Sequence, residues 1–362
     1  MSNRHQLRFR LILVAALLVG IQVLFELGRA HYLLGGNDAV NIADHAFYSV
    51  RMYGDLSIPA SLNEINNLAV TLIYAGLTRL TGVPLDRFAF LVNIPLLLLA
   101  YAVLERAHVL LTGRLLGWPY ALGLLPLAAY VPLINKDAFS VLFHILLVAS
   151  FLRPRAGSVG AVVALAPVRV QHLGMLAIGL LLAIPRLAPS VRAGLAVFLY
   201  IVLSMVAGYV SSAELVFSAT SATGTALGIN AIVRELNDFG FLGSALLNLT
   251  IPIRHAFDLV RSVDFDGSPL NSVVMLGRIY LVLTLVANLK GVFLLIYCAP
   301  VFSNRRGLYL TSVVVCSFFL VWMVSPIVHY RYFLDLAPVL LLGLSVLSVE
   351  RPAPPGREQR QG

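Results

Sequence analysis

The stretch "SVGAVVALAPVRVQHLGMLAIGLLLAIP", residues 158–185, is bracketed by Arg155 and Arg186 and interrupted by Pro167, Arg169 and His172. A membrane-spanning helix needs about 20 apolar residues, so this stretch is too short for two full spans. Both flanks are basic, which places both on the same side of a membrane. A pair of half-helices that enters and leaves from that side satisfies both conditions. The break then lies at mid-membrane depth, where non-helical backbone is tolerated only if it is buried in protein or lines a cavity.

The rest of the chain supports a membrane reading. Of its 362 residues, 59% are hydrophobic and only 12% charged, against about 25% charged in soluble domains. Apolar runs recur from end to end, predicting an all-α, polytopic transmembrane helical bundle of about 8–10 spans, counting the broken pair. The formal net charge of +9 reports topology more than partners. Arginines cluster in short gaps: Arg4, Arg8 and Arg10; Arg106 and Arg114; Arg153 and Arg155; Arg186 and Arg192; Arg305 and Arg306; Arg351, Arg357 and Arg360. The positive-inside rule puts these in the cytoplasm, and no nucleic-acid partner is expected.

Expected spans are 9–28, 88–107, 115–133, 137–152, 188–211, 273–299, 308–328 and 332–348, with the broken pair at 158–185. The first run follows a basic start and reads as an uncleaved anchor. The apolar stretch 68–80 is short for an upright span, so 29–87 reads as one external loop carrying membrane-lying helices. A second long external loop covers 212–272. Residues 1–350 then form a single transmembrane domain, and the Pro-rich 351–362 a disordered cytoplasmic tail. Cys298 and Cys316 lie in apolar runs and read as small core residues. No phosphate-binding G-x-x-x-x-G-K-[ST] loop is present.

Four polar groups fall on the outer face or just beneath it. "GGNDAVNIADHAF" offers Asp38 and Asp44, either of which could take a proton from a hydroxyl; the plainer reading is a helix cap. "INKDAF" holds Lys136, one of only two lysines in the chain. It could hold a lipid phosphate as a point charge, with Asp137 as a further candidate base. Equally, Asp137 could cap the next span and pair with Lys136. Arg169 and His172 are spaced to share a helix face and need a partner or a watery cavity at that depth. In "HYRYFLDL", His329 and Arg331 make a good anion site, with Asp335 one turn on to orient Arg331; Tyr330 and Tyr332 fit an interfacial aromatic belt as well.

Together these suggest group transfer from a membrane lipid, with a base for the acceptor and cations for the departing phosphate. The layout resembles the integral-membrane GT-C glycosyltransferases and the related Wzy-type and EpsG-like polysaccharide polymerases. "GGNDAVNIADHAFYSV" sits where that group carries its acidic first external loop, although no D-x-D or D-E pair stands there. "NKDAFSVLFHILLVA" and "HYRYFLDLAPVLLL" look like its internal and C-terminal stretches. The resemblance implies a bacterial inner-membrane enzyme of cell-surface polysaccharide biosynthesis, with its active site facing the periplasm. It would move sugar from a polyprenyl phosphate or diphosphate donor to the hydroxyl of a glycan acceptor, alone or in a polysaccharide-assembly complex. No cofactor is expected; some relatives of this kind use a divalent metal, but no convincing ligand set stands in the chain. A flippase or transporter of an anionic substrate is the alternative, and a non-catalytic subunit of such a complex a third.

Overall fold

"DAFSVLFHILLVASFL", Asp137–Leu152, is apolar on every face, and such a helix has to be surrounded. In the computed structural model each residue from Asp137 to Val148 is buried, and this helix is the hub. The structure describes residues 3–33, 48–53, 62–184, 187–212, 306–322 and 330–349. The elements are α1 (Asn3–Leu33), α2 (48–53), α3 (Leu62–Thr81), α4 (Phe90–Thr112), α5 (Trp118–Leu122) and α6 (Asp137–Leu152), followed by α7 (Ala156–Leu165), α8 (Val170–Leu182), α9 (Pro189–Ser212), α10 (Arg306–Trp322) and α11 (Tyr330–Val349). The fold is all-helical, with no strand among the described residues. Helices α4, α7, α10 and α11 pack around α6; α1 lies against α4, and α8 and α9 against α10.

The interrupted stretch behaves as its sequence requires. Helix α7 ends at Leu165, a 3-10 turn covers Ala166–Val168, Arg169 is extended, and α8 starts at Val170. Pro167 lacks the amide that would continue α7, which fixes the break. Helix α8 then approaches α10 closely: a Cβ at Gly179 would lie 3.2 Å from Phe151 and 3.4 Å from Ser317.

Two expectations change. Residues 115–133 do not form one helix. Gly117, Pro119, Gly123 and Pro126 split the segment into the five-residue α5 and a 3-10 turn over Leu125–Tyr130. The segment nevertheless runs along α4. The Leu116 amide donates to Glu105 near one end of α4, and the carbonyls of Tyr130, Val131 and Leu133 accept from Asn93 near the other. At 1.5 Å per residue those two levels are about 18 Å apart. The irregular backbone survives because a buried side chain satisfies it.

The second change is in the first loop. Helix α3 begins six residues before the expected 68–80 stretch, its polar opening "LNEINN" having hidden it from hydropathy. One face, with Val70, Tyr74 and Ala75, packs with Tyr48 and Met52 of α2 on Ile134, Phe139 and Val168; Leu72, Arg79 and Leu80 stay exposed. It stops at Gly82, whose φ of +71° is the left-handed cap glycine adopts at little cost.

Among the described residues two helical stretches, His5–Val23 and Phe90–Thr112, are long and apolar enough to cross a membrane. The polarity of the bundle is also inverted. Ile12, Val197 and Phe198 are 66%, 57% and 61% exposed, whereas Glu105, His144 and Asp335 are fully buried.

Candidate functional site

At the N-terminal end of α6 the chain has to start a buried helix with polar residues. Asn135 provides the cap: its Oδ1 accepts from the Ala138 amide at 3.0 Å, while its Nδ2 donates to the carbonyls of Tyr130 and Leu133. This frees Asp137 from the capping role that sequence also allowed it. Asp137 instead forms an ion pair with Arg169, delivered by the break between α7 and α8. Asp335, from the second turn of α11, is the other carboxylate on this guanidinium, at 3.4 Å. Tyr130 neighbours Asp335, and the Arg169 guanidinium lies 5.2 Å from the centre of the Trp322 ring. Side-chain exposure of Arg169, Asp137 and Asp335 is 1%, 3% and 0%. Three charges have left solvent together.

Two imidazoles flank the triad. His144 lies two turns along α6 from Asp137, and its Nδ1 meets the Asp335 carbonyl at 3.0 Å. A carbonyl can only accept, so Nδ1 carries a proton, and in the neutral ring Nε2 is an acceptor. His172 stacks on Phe143 with ring centres 4.0 Å apart, and the two imidazole centres are 5.5 Å apart. Both Nε2 atoms are buried without a hydrogen-bond partner. A native interior seldom leaves such capacity unused.

Above this cluster, α2 and α3 form a cap. Asn67 Oδ1 accepts from Tyr48 at 3.0 Å and from Lys136 Nζ at 2.9 Å, linking α2, α3 and the start of α6. Lys136 is 8% exposed, so the expectation of a surface lysine is corrected: it lies beneath α3. Farther out, Tyr53 donates to Asp86 at 2.7 Å, and this hydrogen bond, with some burial and the Asp86 charge, raises the hydroxyl above its ordinary pKa.

Of the residues singled out from sequence, Lys136, Asp137, Arg169 and His172 come together, and Asp335 joins them. Arg169 and His172 do not share a helix face, since Arg169 is the extended residue before α8. Asp335 faces Arg169. Asp38, Asp44 and His329 lie outside the described residues, as do loop 213–272, the expected span 273–299 and the tail. Arg331 heads α11, but its side chain is outside them too. Sequence reasoning passed over Tyr130, His144 and Trp322; the spacing of seven between Asp137 and His144 was the one available signal, because it returns to the same face of a helix. Among the described residues no group of three His, Cys, Asp or Glu side chains is placed to hold a metal ion.

A second polar cluster occupies the other end of α4. Glu105 accepts from Arg10 at 2.8 Å, from Tyr101 at 2.7 Å and from the Leu116 amide at 2.8 Å, and Arg10 also covers the Trp118 ring. Every strong donor there is matched, which marks a structural tie. Comparison with family models, curated proteins and solved structures finds no match for the chain.

Proposed function

We propose that the protein is a polytopic bacterial inner-membrane glycosyltransferase or glycan polymerase that takes sugar from a polyprenyl phosphate or diphosphate donor. The observation that carries this reading is the convergence of Lys136, Asp137, Arg169, His172 and Asp335 under the α2–α3 cap. A purely structural core gains little from such groups, since buried ion pairs are often replaceable by apolar side chains without loss. The inverted polarity supports a lipid surround, because exposed leucine, valine and phenylalanine are stable there and charges are stable only inside. With the Arg153–Arg155 gap in the cytoplasm, the cluster faces the periplasm.

In this reading Arg169 and Lys136 stabilise the phosphate as it leaves, and Asp137 and Asp335 aim the Arg169 fork. The acceptor hydroxyl oxygen bonds to the anomeric carbon while the bond from that carbon to the donor phosphate oxygen breaks. The phosphate departs with the electron pair, and the hydroxyl proton passes to a carboxylate. Asp137 is committed to Arg169, so that base falls to Asp38 or Asp44. His329 and Arg331, six and four residues before Asp335 in the sequence, extend the anion site. Access requires α2 and α3 to lift, which breaks the hydrogen bonds of Lys136 to Asn67 and of Tyr74 to Asn93.

The test is incubation of the purified full chain with polyprenyl-linked sugars and a glycan acceptor, read by mass spectrometry. Transfer by the wild type, lost in Arg169→Lys and in Asp38→Asn/Asp44→Asn, is the expected result. Full turnover in both variants refutes the assignment of roles. The broken helix with a cation at its break favours a second reading, transport of an anionic substrate. Movement of lipid-linked sugar across vesicles, chemically unchanged, would select it.

A further inference from the structure

At the opposite end of α6 from Asp137, a groove of about 820 Å³ opens between α1, α4, α6 and the start of α7. This volume lies in the range of small-molecule sites, roughly 300–1,000 Å³. Leucines such as Leu11 and Leu146 form its walls, and Arg8, Arg106, Arg153 and Arg155 line it too. All four arginines are exposed, and none is ion-paired with a described carboxylate. The one acid lining the groove among the described residues, Glu105, is already taken by Arg10, Tyr101 and the Leu116 amide. Four positive charges therefore border a hydrocarbon trough with no acid among the described residues left to neutralise them. The trough runs out onto exposed apolar surface at Leu110, which is 55% exposed.

We infer that this groove binds an anionic phospholipid, with its phosphate on the arginines and an acyl chain along the leucines. Guanidinium forks suit phosphate oxygens, and basic pockets between membrane helices hold anionic headgroups. A free phosphate would use the rim and leave the walls unfilled, so the walls select a lipid. The inference rests on the membrane reading and is independent of sugar transfer.

The test uses the purified full chain in neutral detergent, titrated with dioctanoyl phosphatidylglycerol, dioctanoyl phosphatidylcholine or inorganic phosphate, with bound ligand read by native mass spectrometry. The wild type should prefer phosphatidylglycerol, and inorganic phosphate should not displace it. Arg153→Gln/Arg155→Gln should weaken that binding about thirtyfold. Ala149→Phe, which keeps every charge and fills the groove, should abolish it, and Arg79→Gln/Arg87→Gln at the far end should leave it unchanged. Thermal unfolding shows whether each variant is folded. Equal binding of both lipids, displacement by inorganic phosphate, or a retained preference in folded Ala149→Phe overturns the proposal. Co-flotation of the wild type with liposomes separates the two readings: a chain that does not float overturns the membrane reading together with the groove, whereas one that floats without lipid preference overturns the groove alone.

Discussion

Arg169→Gln is the most informative perturbation of the buried triad. It removes the cation between Asp137 and Asp335 and leaves two carboxylates, 3% and 0% exposed, without their shared partner. Breaking a buried pair from one side costs about 3–5 kcal/mol. That is a large part of the roughly 5–15 kcal/mol that holds a typical domain folded. The two carboxylates should not count equally. Asp335 stands 3.4 Å from the guanidinium, beyond the roughly 2.7–2.9 Å of a charge-assisted hydrogen bond, so Asp335→Asn should cost less than Asp137→Asn. The triple variant Asp137→Asn/Arg169→Gln/Asp335→Asn carries no orphaned charge and should recover most of the loss. Equilibrium unfolding of the purified full chain in mixed micelles of neutral and anionic detergent, followed by far-UV circular dichroism, gives all four values. The reasoning fails if Arg169→Gln lies within about 0.5 kcal/mol of wild type, or if the triple variant is no more stable than the single.

Three further outcomes are expected. Asn93→Leu takes the side-chain donor from the Val131 carbonyl, leaves those of Tyr130 and Leu133 to Asn135 alone, and strips the buried Tyr74 hydroxyl of its acceptor, so it should cost about 2–4 kcal/mol, measured by the same unfolding assay; an unchanged midpoint would mean that the irregular 115–133 segment is held some other way. Gly179→Val forces a side chain against Phe151 and Ser317 and should destabilise by about 1–3 kcal/mol, while Gly160→Ala, where a Cβ meets nothing within 4 Å, should be neutral or slightly stabilising. In a background with Cys298 and Cys316 replaced by serine, a cysteine at position 79 should react with an impermeant thiol reagent in intact cells and one at position 155 only after permeabilisation; the reverse pattern would invert the proposed orientation.

By itself the sequence determined the helical elements and the interruption between two of them. Helix α6 occupies the expected 137–152, α11 runs over Tyr330–Val349 against the expected 332–348, and the α7–α8 break falls at Pro167–Arg169. These are local matters of hydropathy and of where proline removes an amide, so a window along the chain can read them. It also marked Lys136, Asp137, Arg169 and His172, because charge inside an apolar run stands out wherever the chain later goes. Only the tertiary structure decided how they pair. Asp335, one turn from Arg331 in sequence, meets an arginine from a distant helix break, and Asp137 leaves the cap to Asn135. The 115–133 segment departs from a single helix for the same reason: hydropathy measures whether side chains tolerate lipid and cannot register that Asn93, from another helix, and Asn135 together donate to three backbone carbonyls. A buried charge or carbonyl takes whichever partner packing brings within hydrogen-bond range, and that partner is fixed by how the helices assemble around α6.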